Sequence, residues 1–202
     1  MASARPEPPR PWTIEEFLEW ERAQEERYEY VDGVIRMMVG GTLDHNIIAG
    51  NVFSALRQHL QGSPCRVFME GVKVRSGSAT MYPDVVVSCQ PGAGTDDVVR
   101  EPALVIEVLS RTTEGFDRGP KWQAYQELPS LKQFVLVSQT EIKIEVFERE
   151  AEGWRYRVVR GREAALSFSV GGGITLRDLY ENTTVAAEAA NTGARAPDPP
   201  TP

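Results

Sequence analysis

The sequence predicts a mixed α/β (α+β) domain, a central mixed β-sheet flanked by helices. Three observations carry this expectation. The runs DVVVS (84–88) and QFVLVS (133–138) are almost continuously apolar and too short for helices, which suits central strands covered on both faces. Segments of helical period lie before and between the strand-like runs, the pattern of helices laid on a sheet. YEYV and VIRM flank Asp32-Gly33, the preferred pair for a two-residue type I′ turn, so residues 28–38 read as a β-hairpin. With 202 residues and 41% hydrophobic side chains, the chain is long enough for one domain with a real core.

The elements follow in order. Residues 1–11 and 183–202 are rich in Pro, Ala and small polar residues and read as flexible tails around a domain spanning 12–182. Thr13 caps a first helix with Ile14, Phe17 and Leu18 on one face, and Glu16 completes a capping box. After the hairpin, Ile47, Ile48, Val52, Ala55, Leu56 and Leu60 fall near helical spacing, predicting a helix over 44–61 that Gly62 and Pro64 end. Strands are expected at 66–75, 84–88, 103–109, 133–138, 142–148 and 154–159, with a short helix over 120–128 that Pro120 opens.

Composition narrows the function. No run reaches the roughly 18 apolar residues of a membrane span, and MASARPEPPRPW lacks the apolar core of a signal peptide, so a cytoplasmic protein with no membrane partner is expected. Cys65 and Cys89 make neither a disulfide framework nor a metal spacing, and that compartment predicts free thiols. The net charge of −7 is concentrated in residues 12–29, which hold seven Glu against two Arg. That acidic stretch is expected to stand away from any nucleic-acid path, while the rest is nearly balanced.

One residue breaks the apolar pattern. Glu107 sits inside the run ALVIEVL (103–109), and an ionised carboxylate buried there needs a compensating cation or set of donors. Asp84 opens the DVVVS strand after Pro83, and the polar loop QPGAGTDDVVREP is long enough to lay the two strands side by side with both carboxylates at one end. Two hard oxygen ligands on neighbouring strands, with a carbonyl and waters, suit Mg²⁺ or Mn²⁺. The alternative is that Asp84 bonds a turn and Glu107 pairs with an internal Arg or Lys. Downstream, Pro120 places Lys121 at a helix start facing the strand ends, with Tyr125 one turn later.

The stretches YEYVDGVI, DHN, YPDVVVS, PALVIEVLSRTTEGFDRGPKWQAY and LPSLKQFVLVSQTEIKIEVFER together resemble the Uma family of restriction endonucleases, a branch of the PD-(D/E)XK nuclease superfamily, over residues 13–181. The most specific part is PD, then EVLS, then the spacing Asp117, Lys121, Tyr125. The resemblance implies a restriction-endonuclease-like fold and metal-dependent phosphodiester hydrolysis, with Asp84 and Glu107 as ligands of Mg²⁺ (or Mn²⁺) and DNA as partner. The superfamily's usual lysine two positions after the strand acid is replaced here by Leu109, and the family pattern assigns its role to Lys121. Glu29, His45, Ser110, Asp117 and Tyr125 are auxiliary positions by the same resemblance, and a homodimer is a possible assembly. A different class of function stays open: a catalytically silent nuclease-fold module that binds nucleic acid or a protein.

Overall fold

The computed structural model describes residues 12–77, 79–90, 92, 94–95 and 97–193. Its frame is a six-stranded sheet in the order β11-β10-β9-β8-β6-β3, built from β3 (Arg66–Met69), β6 (Val85–Ser88), β8 (Pro102–Leu109), β9 (Gln133–Ser138), β10 (Lys143–Glu150) and β11 (Gly153–Arg160). Only β8 and β9 run parallel in it; the other neighbours are antiparallel. The unbroken apolar runs of β6, β8 and β9 are explained by covering on both faces. Val85, Val87, Leu104, Ile106, Val135 and Val137 turn to one core, and Val86, Val105, Leu109, Phe134 and Leu136 to the other.

Helix α2 (Leu43–His59), capped by Thr42, covers the first face through Ile48, Ala49, Val52 and Leu56. Gly50 is tolerated inside it because this tertiary burial outweighs a propensity deficit of about 1 kcal/mol. The second face is covered by the β8–β9 crossover and by a smaller five-stranded sheet in the order β2-β1-β5-β4-β7. That sheet comprises β1 (Tyr28–Val31), β2 (Val34–Met37), β4 (Lys73–Ser76), β5 (Ala79–Met81) and β7 (Val98–Val99). Helix α1 (Ile14–Glu21) closes the small sheet, with both capping-box bonds of Thr13 and Glu16 formed and Phe17 stacked on Tyr30.

Asp32 and Gly33 both adopt positive φ, 49° and 78°, as the two-residue hairpin turn demands. Other expectations are corrected. Residues 66–75 are not one strand: Glu70 and Gly71 turn into the left-handed region at φ 44° and 77° and break the run into β3 and β4, which join different sheets. The crossover helix starts earlier than Pro120, with α3 (Glu114–Phe116), a π-helical turn (Asp117–Lys121) holding Pro120 inside it, and α4 (Trp122–Gln126). Residues 184–193 form a helix, α6, after the short hairpin β12 (Ala165–Ser167)/β13 (Gly173–Thr175) and the helix α5 (Leu176–Leu179). The start of α6 is fixed by Thr184 N–H donating to Asp44 and by Val185 and Ala186 packing on the core, contacts that a compositional reading does not register. The proposed tails at 1–11 and beyond 193 lie outside the described residues.

The cysteines are not free: Cys65 and Cys89 form a disulfide. The antiparallel register decides it, because Arg66 pairs with Ser88 and the next positions outward are these two cysteines. Denatured, unreduced protein is therefore expected to show no titratable thiol, and two after reduction. Replacing both cysteines by Ser, which opens a loop with a sequence separation of 24, should lower stability by about 3 kcal/mol in urea unfolding.

Candidate active site

The register of β6 against β8 brings the two predicted carboxylates together. Val85 pairs with Ile106, so Asp84, one residue before the strand, stands beside Glu107. Asp84 Oδ2 accepts a 2.6 Å hydrogen bond from the Val108 N–H, which fixes the carboxylate at the strand end. By alternation both side chains share the face of Val86, Val105 and Leu109, and both line one cavity of about 680 Å³.

Lys121 reaches this face because β8 and β9 are parallel, which forces the connecting chain to cross over the sheet. The crossover lays Asp117, Lys121 and Tyr125, each one turn apart, onto Glu107, and the π-helical turn lies at this point. Lys121 Nζ is 2.8 Å from Glu107 Oε1, 3.0 Å from Glu29 Oε1 and 3.3 Å from Asp117 Oδ1. The Tyr125 hydroxyl donates to Glu107 Oε1 at 2.9 Å. The compensation that a carboxylate inside ALVIEVL requires is thus an ammonium and a phenol from the next helix. Glu29 arrives from β1 of the small sheet, where the Tyr82 N–H also donates to its Oε1 at 2.9 Å. The acidic stretch 12–29 therefore does not lie wholly apart from the site, since its last residue is part of it.

These groups are deeply buried: Glu107, Asp117 and Lys121 are each 3% exposed. Burial raises the Glu107 carboxyl well above the usual range, with Lys121 opposing and Asp117, Asp84 and Glu29 adding to the rise. Asp117 is raised by burial too, again against Lys121. Burial acts to lower the Lys121 ammonium, yet the surrounding carboxylates, Glu107 first, hold it well above its ordinary value. One ammonium facing three carboxylates leaves the cluster with a surplus of negative charge, which a proton or an added cation relieves.

His45, in the first turn of α2, places Nε2 3.2 Å from Asp84 Oδ2. Burial lowers its pKa, but the hydrogen bond and charge of Asp84 prevail and the imidazole is raised. Ser110 bonds Thr112 and Thr113 through its hydroxyl and shapes the loop toward Asp117 rather than meeting Lys121 directly. Sequence reasoning missed Arg36 and Arg111, which line the same cavity, and the backbone role of Tyr82. Arg36 was legible in principle, because the hairpin register pairs it with Glu29.

The donor set suits a hard divalent cation in one respect. The protein bonds engage Asp84 Oδ2 and Glu107 Oε1, while Asp84 Oδ1 and Glu107 Oε2 take no protein bond among the described residues. Mg²⁺ commonly uses one or two carboxylates and keeps several waters. No group of three or more His, Cys, Asp or Glu among the described residues forms a ready-made metal cage.

Residues 14–177 match the family model Uma2, described as "Putative restriction endonuclease". The chain belongs to this family. Two Synechocystis relatives are similar to it: the uncharacterized protein slr1290, 36% identical over 69% of this chain and 75% of the relative, and the uncharacterized protein sll1609, 26% identical over 78% and 92%. Among solved structures, a protein from Anabaena variabilis described as "a putative nuclease belonging to DUF820" superposes with a TM-score of 0.72 at 18% identity, covering 84% of this chain and 98% of that one. The Uma2 chain thus shares the fold of that structure, mixed sheets flanked by helices. No helix among its described residues is long and apolar enough to cross a membrane.

The burial geometry sets an expectation for Lys121→Met, which leaves three carboxylates around Lys121's place without their ammonium. The loss should be about 3–5 kcal/mol at neutral pH in urea unfolding. Glu107 and Asp117, already raised in the folded state, would be raised further. Folding then takes up protons, so the deficit shrinks as pH falls through their folded values and vanishes below the unfolded carboxyl range near about 4. A deficit independent of pH would show that charge is not its cause.

Proposed function

We propose that this Uma2 protein is a Mg²⁺-dependent DNA endonuclease that hydrolyses phosphodiester bonds and acts in the cytoplasm. The observation that carries this reading is the convergence of Asp84, Glu107 and Lys121 on one cavity, with unengaged carboxylate oxygens beside an ammonium. Bound Mg²⁺ or Mn²⁺ supplies polarisation of a phosphoryl oxygen and a water of lowered pKa. Asp84 and Glu107 hold the cation. The His45 and Val108 contacts orient Asp84, and Tyr125 orients Glu107. Lys121 offsets the negative charge that grows on the phosphate in the transition state, and Glu29 and Asp117 keep it protonated and in place.

A cation is also what admits the substrate. The described residues lining the cavity include five carboxylates, Glu29, Asp44, Asp84, Glu107 and Asp117, against three permanent cations, Arg36, Arg111 and Lys121. A phosphodiester entering so acidic a cavity is repelled until positive charge is added. One observation favours the second reading, a catalytically silent module: Lys121 already satisfies Glu107 internally, so the burial of Glu107 does not itself demand a metal.

The deciding experiment measures cleavage of plasmid and single-stranded DNA with Mg²⁺ or Mn²⁺, alongside calorimetric cation titration. The wild type should cut and bind one or two cations. Asp84→Asn and Glu107→Gln should lose both properties. Lys121→Met, assayed well below its own unfolding midpoint, should keep cation binding and lose orders of magnitude in cleavage. No cleavage by pure wild type on either DNA would favour the silent module, and undiminished cleavage by Lys121→Met would remove that residue from the chemistry.

A further inference from the structure

We infer that Arg36 and Arg111 form a phosphate clamp on the cavity wall that grips the nucleic-acid backbone beside the phosphate facing Lys121. This rests on the nuclease reading above. The hairpin register pairs Arg36 with Glu29, so both side chains lie on one face of the small sheet, and Glu29 is itself in contact with Lys121. The Arg36 guanidinium lies over the Phe116 ring, 4.5 Å from its centroid, and its Nη2 donates to the Thr112 carbonyl at 3.1 Å. Stacking and one hydrogen bond fix the plane of the group, and most of its five N–H donors remain free for another acceptor.

Arg27 and Arg149 are likewise held by a ring and backbone carbonyls, but of these three only Arg36 lines the cavity. Arg118, Arg155, Arg157, Arg160 and Arg177 are each ion-paired. Arg36 makes no ion pair among the described residues, and neither does Arg111, which is exposed beside Ser110 at the same cavity. A guanidinium oriented by a ring and a carbonyl, unpaired beside a surplus of carboxylates, has the arrangement that receives a phosphate in bidentate fashion. If Arg36 served only to tie the hairpin to the 110–116 loop, its removal would lower stability and leave DNA affinity alone.

The test is fluorescence anisotropy of a labelled 20-base-pair duplex and a single strand across a salt series, with Ca²⁺ as the hard cation and thermal melts in parallel. Arg36→Ala and Arg111→Ala should each weaken binding about 5–10-fold at moderate salt, and the double variant should lower the log–log salt slope by about 2. Arg36→Lys should keep the slope, since it keeps the charge, while losing part of the affinity with the stacked fork. Wild-type binding with an unchanged slope and affinity in the double variant would overturn the clamp and leave the nuclease reading standing. No binding of either DNA by the wild type at low salt would sink the nuclease reading, and the clamp with it.

Discussion

The site depends on one ion pair, the buried contact between Glu107 on β8 and Lys121 on the crossover. Neither charge is tolerable alone at that depth, so each fixes the other's position. The pair ties the middle of the large sheet to the helix that passes over it. Through Glu29 it reaches the hairpin of the small sheet, and through Asp117 it braces the π-helical turn. Tyr125 adds a neutral donor at Glu107, which holds the carboxylate without adding charge. The same contacts that compensate Glu107 also hold an ammonium at the cavity wall.

On the proposed reading, stability and chemistry pull in different directions here. A core optimised for stability would replace this cluster with apolar side chains, because buried ion pairs seldom outdo well-packed hydrocarbon. The chain instead surrounds one ammonium with Glu29, Glu107 and Asp117 and sets Asp84 and His45 next to them. The surrounding core carries that cost: Val105, Leu109, Phe134 and Leu136 pack on the same sheet face as Glu107. Trp122, one residue after Lys121, stacks on Phe134 and anchors the helix from below.

Much of this arrangement is legible in the sequence where the signals are local. The Asp32-Gly33 turn, the Thr13 box and the apolar runs of β6 and β9 each announce themselves within a few residues. Glu107 stands out because it contradicts its own strand. What stays hidden depends on distant register. The Cys65–Cys89 bond follows from how β3 lies on β6, and the small sheet is made of strands two to four residues long, too short to show a period. Arg36 escapes notice because nothing near it in the chain reveals that Phe116 and Thr112 will flank it. Ser110 is recognisable by position, yet its loop-shaping role appears only when its bonds to Thr112 and Thr113 are traced.

The origin of Glu29 has a consequence for how the protein is made. Its carboxylate comes from the small sheet, while Glu107 and Lys121 come from the large sheet and its crossover. The two acids share a site only in the complete arrangement, with β5 paired to β1 and the crossover packed in the same core. A chain still emerging from the ribosome has synthesised Glu29 and Asp84 well before Lys121 exists, and holds no assembled centre. Full charge compensation therefore requires both sheets and the crossover together, so the finished cluster reports on the completed tertiary structure.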